Sequence, residues 1–255
     1  MTGDTLIEAL DLPASSRVNQ RVPKKLLLEN GAPTAADKRL INDGIDELLW
    51  LAALKPTTIG VPECRDEVRE YLEIAVLRLT LRAAAKATRL VELVHRAVPY
   101  PLLLLTEQAD HGGRTGLSAA HKRWSQGQAG KTVVEGDVVT VEWDEEHIGE
   151  RWPAFLDALA LGKLPRATLY ALYQGWIDTL LALHAARVTG AFAVAANAEH
   201  SSARRDALQE CARLDGEIAR LRAAAAKEKQ MARRVELNLE LKRVEAAQAA
   251  ARANL

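Results

Sequence analysis

The chain has only two cysteines, Cys64 and Cys211, far apart and in no CxxC spacing, which excludes a disulfide framework and a cysteine-based zinc site. That usage fits a reducing compartment, with both thiols as small core or seam residues. Net charge is absent as well. Thirty-four Lys plus Arg balance thirty-four Asp plus Glu, so the protein as a whole is no polyelectrolyte partner for nucleic acid or an anionic membrane. Met1-Thr2-Gly3-Asp4 lacks a basic segment leading into an apolar run, and the expectation is no signal peptide and a cytoplasmic protein. The most apolar window, Ile177 to Ala196, carries Asp178, His184 and Arg187, each costly at a bilayer centre, and reads as a buried helix. No solenoid-period repeat is present. What is there is 48% hydrophobic residues, enough for a packed core.

Patterning gives an α+β fold. Leu12 to Lys25 mixes two prolines with four bases, Arg17, Arg21, Lys24 and Lys25, and reads as an extended segment laid over a surface. Thr34 can cap a helix, with Asp37 three residues on, and Leu40, Ile41, Ile45, Leu48, Leu49 and Leu51 predict that helix through Leu54. Tyr71 to Arg82 is apolar on nearly every residue, as in a strand covered on both faces. Ala87 to Val98 has helical spacing, ended by Pro99 and Pro101. Leu102 to Thr106, Gly116 to Trp124 and Thr132 to Trp143 follow as strands, the last interrupted at Glu135-Gly136-Asp137. This order predicts a small mixed β-sheet with packed helices. A short helix after Trp152-Pro153 and a longer one from Arg166 precede a joint at Asn197 to Ser202. The predicted divisions are 1–62, 63–200 and a C-terminal arm over 201–255.

Ala207, Cys211, Leu214, Ile218, Leu221 and Ala225 recur by fours and threes, which predicts a coiled-coil arm. A second seam, Leu237, Leu241, Val244, Gln248, Ala251 and Leu255, is shifted by two residues. The two frames meet near Lys227 to Arg234, as a hairpin of two helices or as one helix whose seam rotates. The absence of Gly and Pro there weighs against the hairpin.

Chemistry-bearing patterns are sparse. Ala129-Gly130-Lys131-Thr132 looks like the end of a phosphate-binding loop, but Ser125 replaces the first glycine and strand follows, as in a plain hairpin loop. Glu92 and His95 lie one helical turn apart without a second pair to complete a metal site; His147 and His184 lack ligand spacing. Asp110, His111 and His121 can meet Ser118 only if the fold allows it. Neither Glu73 nor Glu142 begins the acid-x-Lys pair of a restriction-type nuclease. The acidic block Glu142 to Glu150 lacks calcium-loop spacing. Charge is unevenly spread. Glu135 to Asp157 holds eight acids and one base, and Ala203 onward holds twelve bases and eight acids. Either these segments face each other or each faces a partner. Arg220, Arg222, Lys227, Lys229, Arg233, Arg234, Lys242 and Arg243 suit phosphates along a helix, or are solvated flanks paired with Glu217, Glu228, Glu236, Glu240 and Glu245.

Several stretches carry a resemblance. Val18-Asn19-Gln20-Arg21-Val22-Pro23-Lys24-Lys25, Glu29-Asn30, Glu47-Leu48-Leu49-Trp50, the step Val98-Pro99-Tyr100-Pro101, Lys227-Glu228-Lys229-Gln230, Val235-Glu236-Leu237-Asn238 and Leu241-Lys242 resemble an uncharacterised bacterial family. That family occurs beside helicase-like ATPases and DNA methyltransferases in restriction-like antiphage gene clusters. The Ala- and Arg-rich arm and the helical stretch Arg166 to Ala196 depart from it. The resemblance implies this context and no mechanism, and within it the preferred expectation is a non-catalytic accessory subunit of a DNA-targeting defence complex. Its expected partners are the ATPase or the methyltransferase, with DNA or self-association through the arm as further options and no membrane, cofactor or metal. The candidate partner- or nucleic-acid-binding residues are Arg21, Lys24, Lys25, Lys227, Lys229, Arg233, Arg234 and Asn238. The alternatives are a stand-alone nucleic-acid-binding module and a divergent nuclease using Glu73, Glu92, His95 and Asp110.

Overall fold

The computed structural model describes residues 3–109, 114–143 and 152–255; Asp110, His111, His147 and the acidic block beyond Trp143 lie outside the described residues. Two compact units divide the chain, Met1–Leu180 and Leu181–Leu255. The first is built on a six-stranded mixed sheet. Its strands are β1 (Arg17–Arg21), β2 (Ile45–Leu54), β5 (Ile74–Arg82), β6 (Leu102–Ala109), β7 (Arg114–Trp124) and β8 (Thr132–Trp143), in the spatial order β1-β2-β5-β6-β7-β8. A separate small hairpin joins β3 (Cys64–Arg65) and β4 (Glu70–Tyr71). Only β5 and β6 run parallel, and α5 (Ala87–Ala97) makes the crossover that parallel strands require. β5 and β6 are buried through Ala75, Val76, Leu77, Leu102, Leu103 and Leu104 on successive positions, which is why they read as continuous apolar runs.

Besides two short helices, α1 (Gly3–Ala9) and α4 (Pro56–Ile59), helices cover both faces. α2 (Lys24–Asn30), α3 (Ala35–Gly44) and α5 pack Leu27, Ile41, Leu90 and Val94 onto Ile45, Leu48, Leu77, Leu79 and Leu104. On the other face, Tyr173 of α7 (Leu169–Thr189) accepts from the Ala120 N–H at 2.9 Å and donates to the Leu102 carbonyl at 2.7 Å. Trp176, fully buried, donates its indole N–H to the Leu159 carbonyl and so ties α7 to α6 (Trp152–Leu159). No helix among the described residues is long and apolar enough to cross a membrane.

The N-terminal stretch differs from its sequence reading in two ways. Lys24 and Lys25, the end of the segment read as extended, open a helix that runs to Asn30, preceded by Pro23, whose fixed φ suits a helix entry. The helix capped by Thr34 (Asp37 N to Thr34 Oγ1, 3.1 Å) stops at Gly44, and Ile45–Leu54 is a strand. Two register shifts against β5, between Ile45 and Glu47 and between Trp50 and Ala52, break the period of two. Ile45, Leu48 and Leu51 are thereby spaced by threes, as on a helix.

Gly31 shows how tightly this layer is built. A Cβ there meets the Ala97 Cβ at 2.6 Å and the Leu93 carbonyl at 2.7 Å, so α2 sits against α5 at a distance only glycine permits. Gly31→Ala is expected to cost about 1–3 kcal/mol through forced separation of the two helices, measured as a lowered urea midpoint with unchanged slope.

Unit 2 contains α8 (Ala198–Lys227) and α9 (Met231–Arg252). Asn197 accepts from the His200 N–H at 2.9 Å, so the predicted joint moves ahead of Ala198 and Ala198 to Ser202 begins the helix. The chain reverses at Glu228-Lys229-Gln230. Arg222 pairs with Glu245 at 2.7 Å, Asp215 accepts from Gln248, and Ala251 packs on Cys211 and Leu214. This is an antiparallel helical hairpin, and both seams of the sequence are its inner faces. The reversal needs no glycine because Glu228 and Gln230 adopt ordinary extended angles (φ −74°, ψ 126° and φ −79°, ψ 119°). The Glu228 carboxylate holds it by accepting from the Gln230 N–H at 2.8 Å.

Candidate functional site

The residues singled out for chemistry separate in space. Glu92 pairs with Arg89 at 2.8 Å on the surface, whereas His95, one turn on, is 0% exposed and bonds Ser118 Oγ through Nε2 at 2.9 Å. They form no joint site. Glu73 pairs with Lys55 at 3.1 Å. Ser118 thus meets His95 and not His121. Beside it Lys122, only 2% exposed, donates to the carbonyls of His95 and Val98 at the C-terminal end of α5. Burial pushes the Lys122 ammonium down to about 8 and the His95 imidazolium, also facing Lys122, down to about 3. His121 belongs to a directed chain. Asp178 accepts from the Gln174 amide nitrogen at 2.8 Å, which turns Gln174 Oε1 toward His121 Nε2 at 2.7 Å. His121 Nε2 therefore donates, and Nδ1 accepts from Tyr71 O–H at 2.5 Å. No motif pointed to Tyr71, Gln174 or Asp178. Among the described residues no group of three or more His, Cys, Asp or Glu is placed to hold a metal ion. Lys131 and Thr132 lie at the β7–β8 turn, where Ser125 N–H bonds the Lys131 carbonyl at 2.8 Å and the Thr132 hydroxyl donates to Pro99. That is a hairpin loop and no phosphate cradle.

The N-terminal bases do not form one patch. Lys24 folds back to donate to the Ile45 carbonyl, and its ammonium is lowered by burial first and by Arg82 second. Lys25 points outward to Glu29 at 3.7 Å. Arg21 lies 3.6 Å from Glu47 and lines an apolar groove of about 370 Å³. One wall of the groove is Gln20, Arg21, Val22, Pro23, Leu26 and Asn30; the other is Val98, Pro99 and Tyr100, with Trp50, Ala75 and Leu77 as its floor. Trp50 satisfies its N–H on the Ala52 carbonyl at 2.8 Å, leaving the ring to the groove. Leu26 and Tyr100, 48% and 42% exposed, stand at the rim. Asn30, Pro99 and Tyr100 also line an adjoining hollow of about 350 Å³ with Leu72, Trp124 and Lys131, so the depression continues across the unit. Pro99 and Pro101 end α5 and leave the Val98-Pro99-Tyr100 wall uncovered.

Lys227, Lys229, Arg233, Arg234 and Asn238 gather at the hairpin's tip and are exposed. Arg233 pairs with Glu236 at 2.8 Å and Arg234 donates to the Met231 sulfur at 3.2 Å; Lys227, Lys229 and Arg234 form no ion pair among the described residues. Beside these bases stand Met231, Val235 and Leu239, 65%, 50% and 55% exposed, of which sequence reasoning passed over Met231. Val235 and Leu239 continue the fours and threes of the first seam past the bend, through Glu228 and Ala232, and Met231 lies off that seam.

No curated protein and no solved structure matches the chain. A family model described as Domain of unknown function (DUF4391) matches residues 10–247, and the chain belongs to that family.

Proposed function

We propose that the protein is a non-catalytic adaptor of a bacterial DNA-targeting, restriction-like defence complex. Unit 1 holds a helicase-like ATPase or DNA methyltransferase of the same gene cluster, and the hairpin reaches a second component. The convergence at the apolar groove carries this reading. Val18 to Lys25, Glu29-Asn30, the Leu49-Trp50 step and Val98 to Pro101 are separated by up to about eighty residues of sequence, yet each contributes to the groove's walls or floor. An exposed apolar concavity rimmed by Leu26, Tyr100 and Arg21 suits an aliphatic or aromatic anchor of a protein segment.

The test is copurification of the full chain with each neighbouring gene product, expressed together, as wild type and as Leu26→Asp with Tyr100→Asp. Both substituted side chains are exposed, so the fold is retained. The wild type is expected to bring down one product and the double variant to lose it at least ten-fold. Retention by the variant, or no recovery by the wild type, overturns the adaptor reading.

A further inference from the structure

We propose that the outward face of α9 at the hairpin tip is a docking surface for an acidic amphipathic helix of a partner protein, which rests on the adaptor reading above and names the partner of its second surface. Met231, Val235 and Leu239 stand four residues apart on one helix. Each residue of an α-helix turns through about 100°, which puts this stripe across the helix from Leu241, Val244 and Gln248 on the inner face. One exposed aliphatic side chain is ordinary. Three in register, more than half-exposed on average, repeat the anchor spacing by which one helix receives another.

Charge selects the occupant. From Arg220 to Arg243 there are eight bases and three acids, a balance of plus five, whereas Ala198 to Ala219 holds three bases and five acids, minus two. The basic excess is therefore confined to the tip. Arg222 and Arg233 are paired with Glu245 and Glu236, but Lys227, Lys229, Arg234, Lys242 and Arg243 form no ion pair among the described residues. A second copy of the tip brings the same plus five, and like charges facing each other oppose association. Duplex DNA offers phosphates to the bases and nothing for Met231, Val235 and Leu239 to bury. A helix with an aliphatic stripe between rows of Asp or Glu satisfies both sets of groups.

The experiment uses the full chain and three probes: a labelled designed helix with a leucine stripe and glutamate flanks, the same helix with lysine flanks, and duplex DNA. Sedimentation of the chain alone accompanies them. The acidic helix is expected to bind, more weakly at high salt, and the lysine helix not to bind. Val235→Asp with Leu239→Asp weakens the acidic helix about a hundred-fold while the melting temperature stays put, and Arg234→Glu with Lys242→Glu and Arg243→Glu also abolishes binding. Four results overturn the proposal: no binding of the acidic helix, equal binding by the aspartate variant, DNA binding that survives the aspartates and is lost only on charge reversal, or a wild-type dimer that the aspartates dissolve. Failure of the groove variants in copurification, with tip binding intact, removes the adaptor reading alone.

Discussion

Replacing Lys122 by alanine is expected to cost about 3–5 kcal/mol, a large share of the stability of an ordinary domain. The side chain is 2% exposed and its ammonium closes the C-terminal end of α5 by donating to the carbonyls of His95 and Val98. Those carbonyls have no onward helical partner, and they present the negative end of the helix dipole to a cation. Alanine removes both donors and leaves the space of the stem empty. Lys122→Met fills that space but lacks the ammonium and both of its hydrogen bonds, so it is expected to lose less than the alanine variant. The two together separate packing from hydrogen bonding. Equal urea midpoints for wild type and Lys122→Ala would sink this account.

The pH dependence gives a second readout. The ammonium is lowered by burial to about 8, whereas the unfolded chain keeps a lysine near 10.5. Between these values the unfolded chain binds more protons, so stability rises with pH across that window. From pH 7 to pH 9.5 the gain is about 2 kcal/mol, and Lys122→Met is expected to lack it. Burial raises the Tyr71 and Tyr173 phenols, which reverses the trend once the unfolded chain's tyrosines ionise.

The part of the fold that was legible is the part with one clean period. Tyr71 to Trp143 reads in order as strand, helix, strand, strand, strand, because β5 and β6 are buried on both faces and α5 shows one apolar face before Pro99. β2 was not legible, since its two bulges write a spacing of three into a strand. The seams of α8 and α9 were read correctly, but their relation was not. A reversal through extended Glu228 and Gln230 leaves no Gly or Pro as a marker. The basic residues of the candidate site were found by counting charge, and counting cannot say which are engaged. Lys24 is bound to a backbone carbonyl, whereas Arg21 lines a groove. The groove itself depends on Trp50 of β2 and Tyr100 beyond α5 lining one hollow, a tertiary event with no local signature.

Acid is expected to unfold the protein earlier than its carboxylates alone require, through His95. The imidazole is fully buried on α5, bonded to Ser118, beside the Lys122 ammonium, and its Nδ1 has no hydrogen-bond partner among the described residues. Burial is the larger cause and Lys122 the smaller one that hold its folded value near 3, against 6.5 for a free histidine. A base depressed in the folded state binds more protons when unfolded, here between pH 6.5 and about 3. Stability is present above pH 6.5 and is lost as pH falls through this window. Between pH 6.5 and pH 4 the loss is about 3 kcal/mol. His95→Gln places an amide where Nε2 lies, keeps a bond to Ser118 and cannot titrate. It is expected to cost about 1–2 kcal/mol at pH 7 yet to overtake the wild type near pH 4. Asp37 and Asp66, both held below the usual carboxylate range, the first chiefly by Arg89 and the second by the Val68 and Arg69 amides, weaken both proteins alike in acid. The difference in urea midpoint between wild type and His95→Gln, taken at pH 7 and at pH 4, isolates the histidine. A difference that does not change sign or shrink on acidification would mean that His95 is protonated in the folded protein, and that Ser118 and the α5 carbonyls solvate it better than its burial implies.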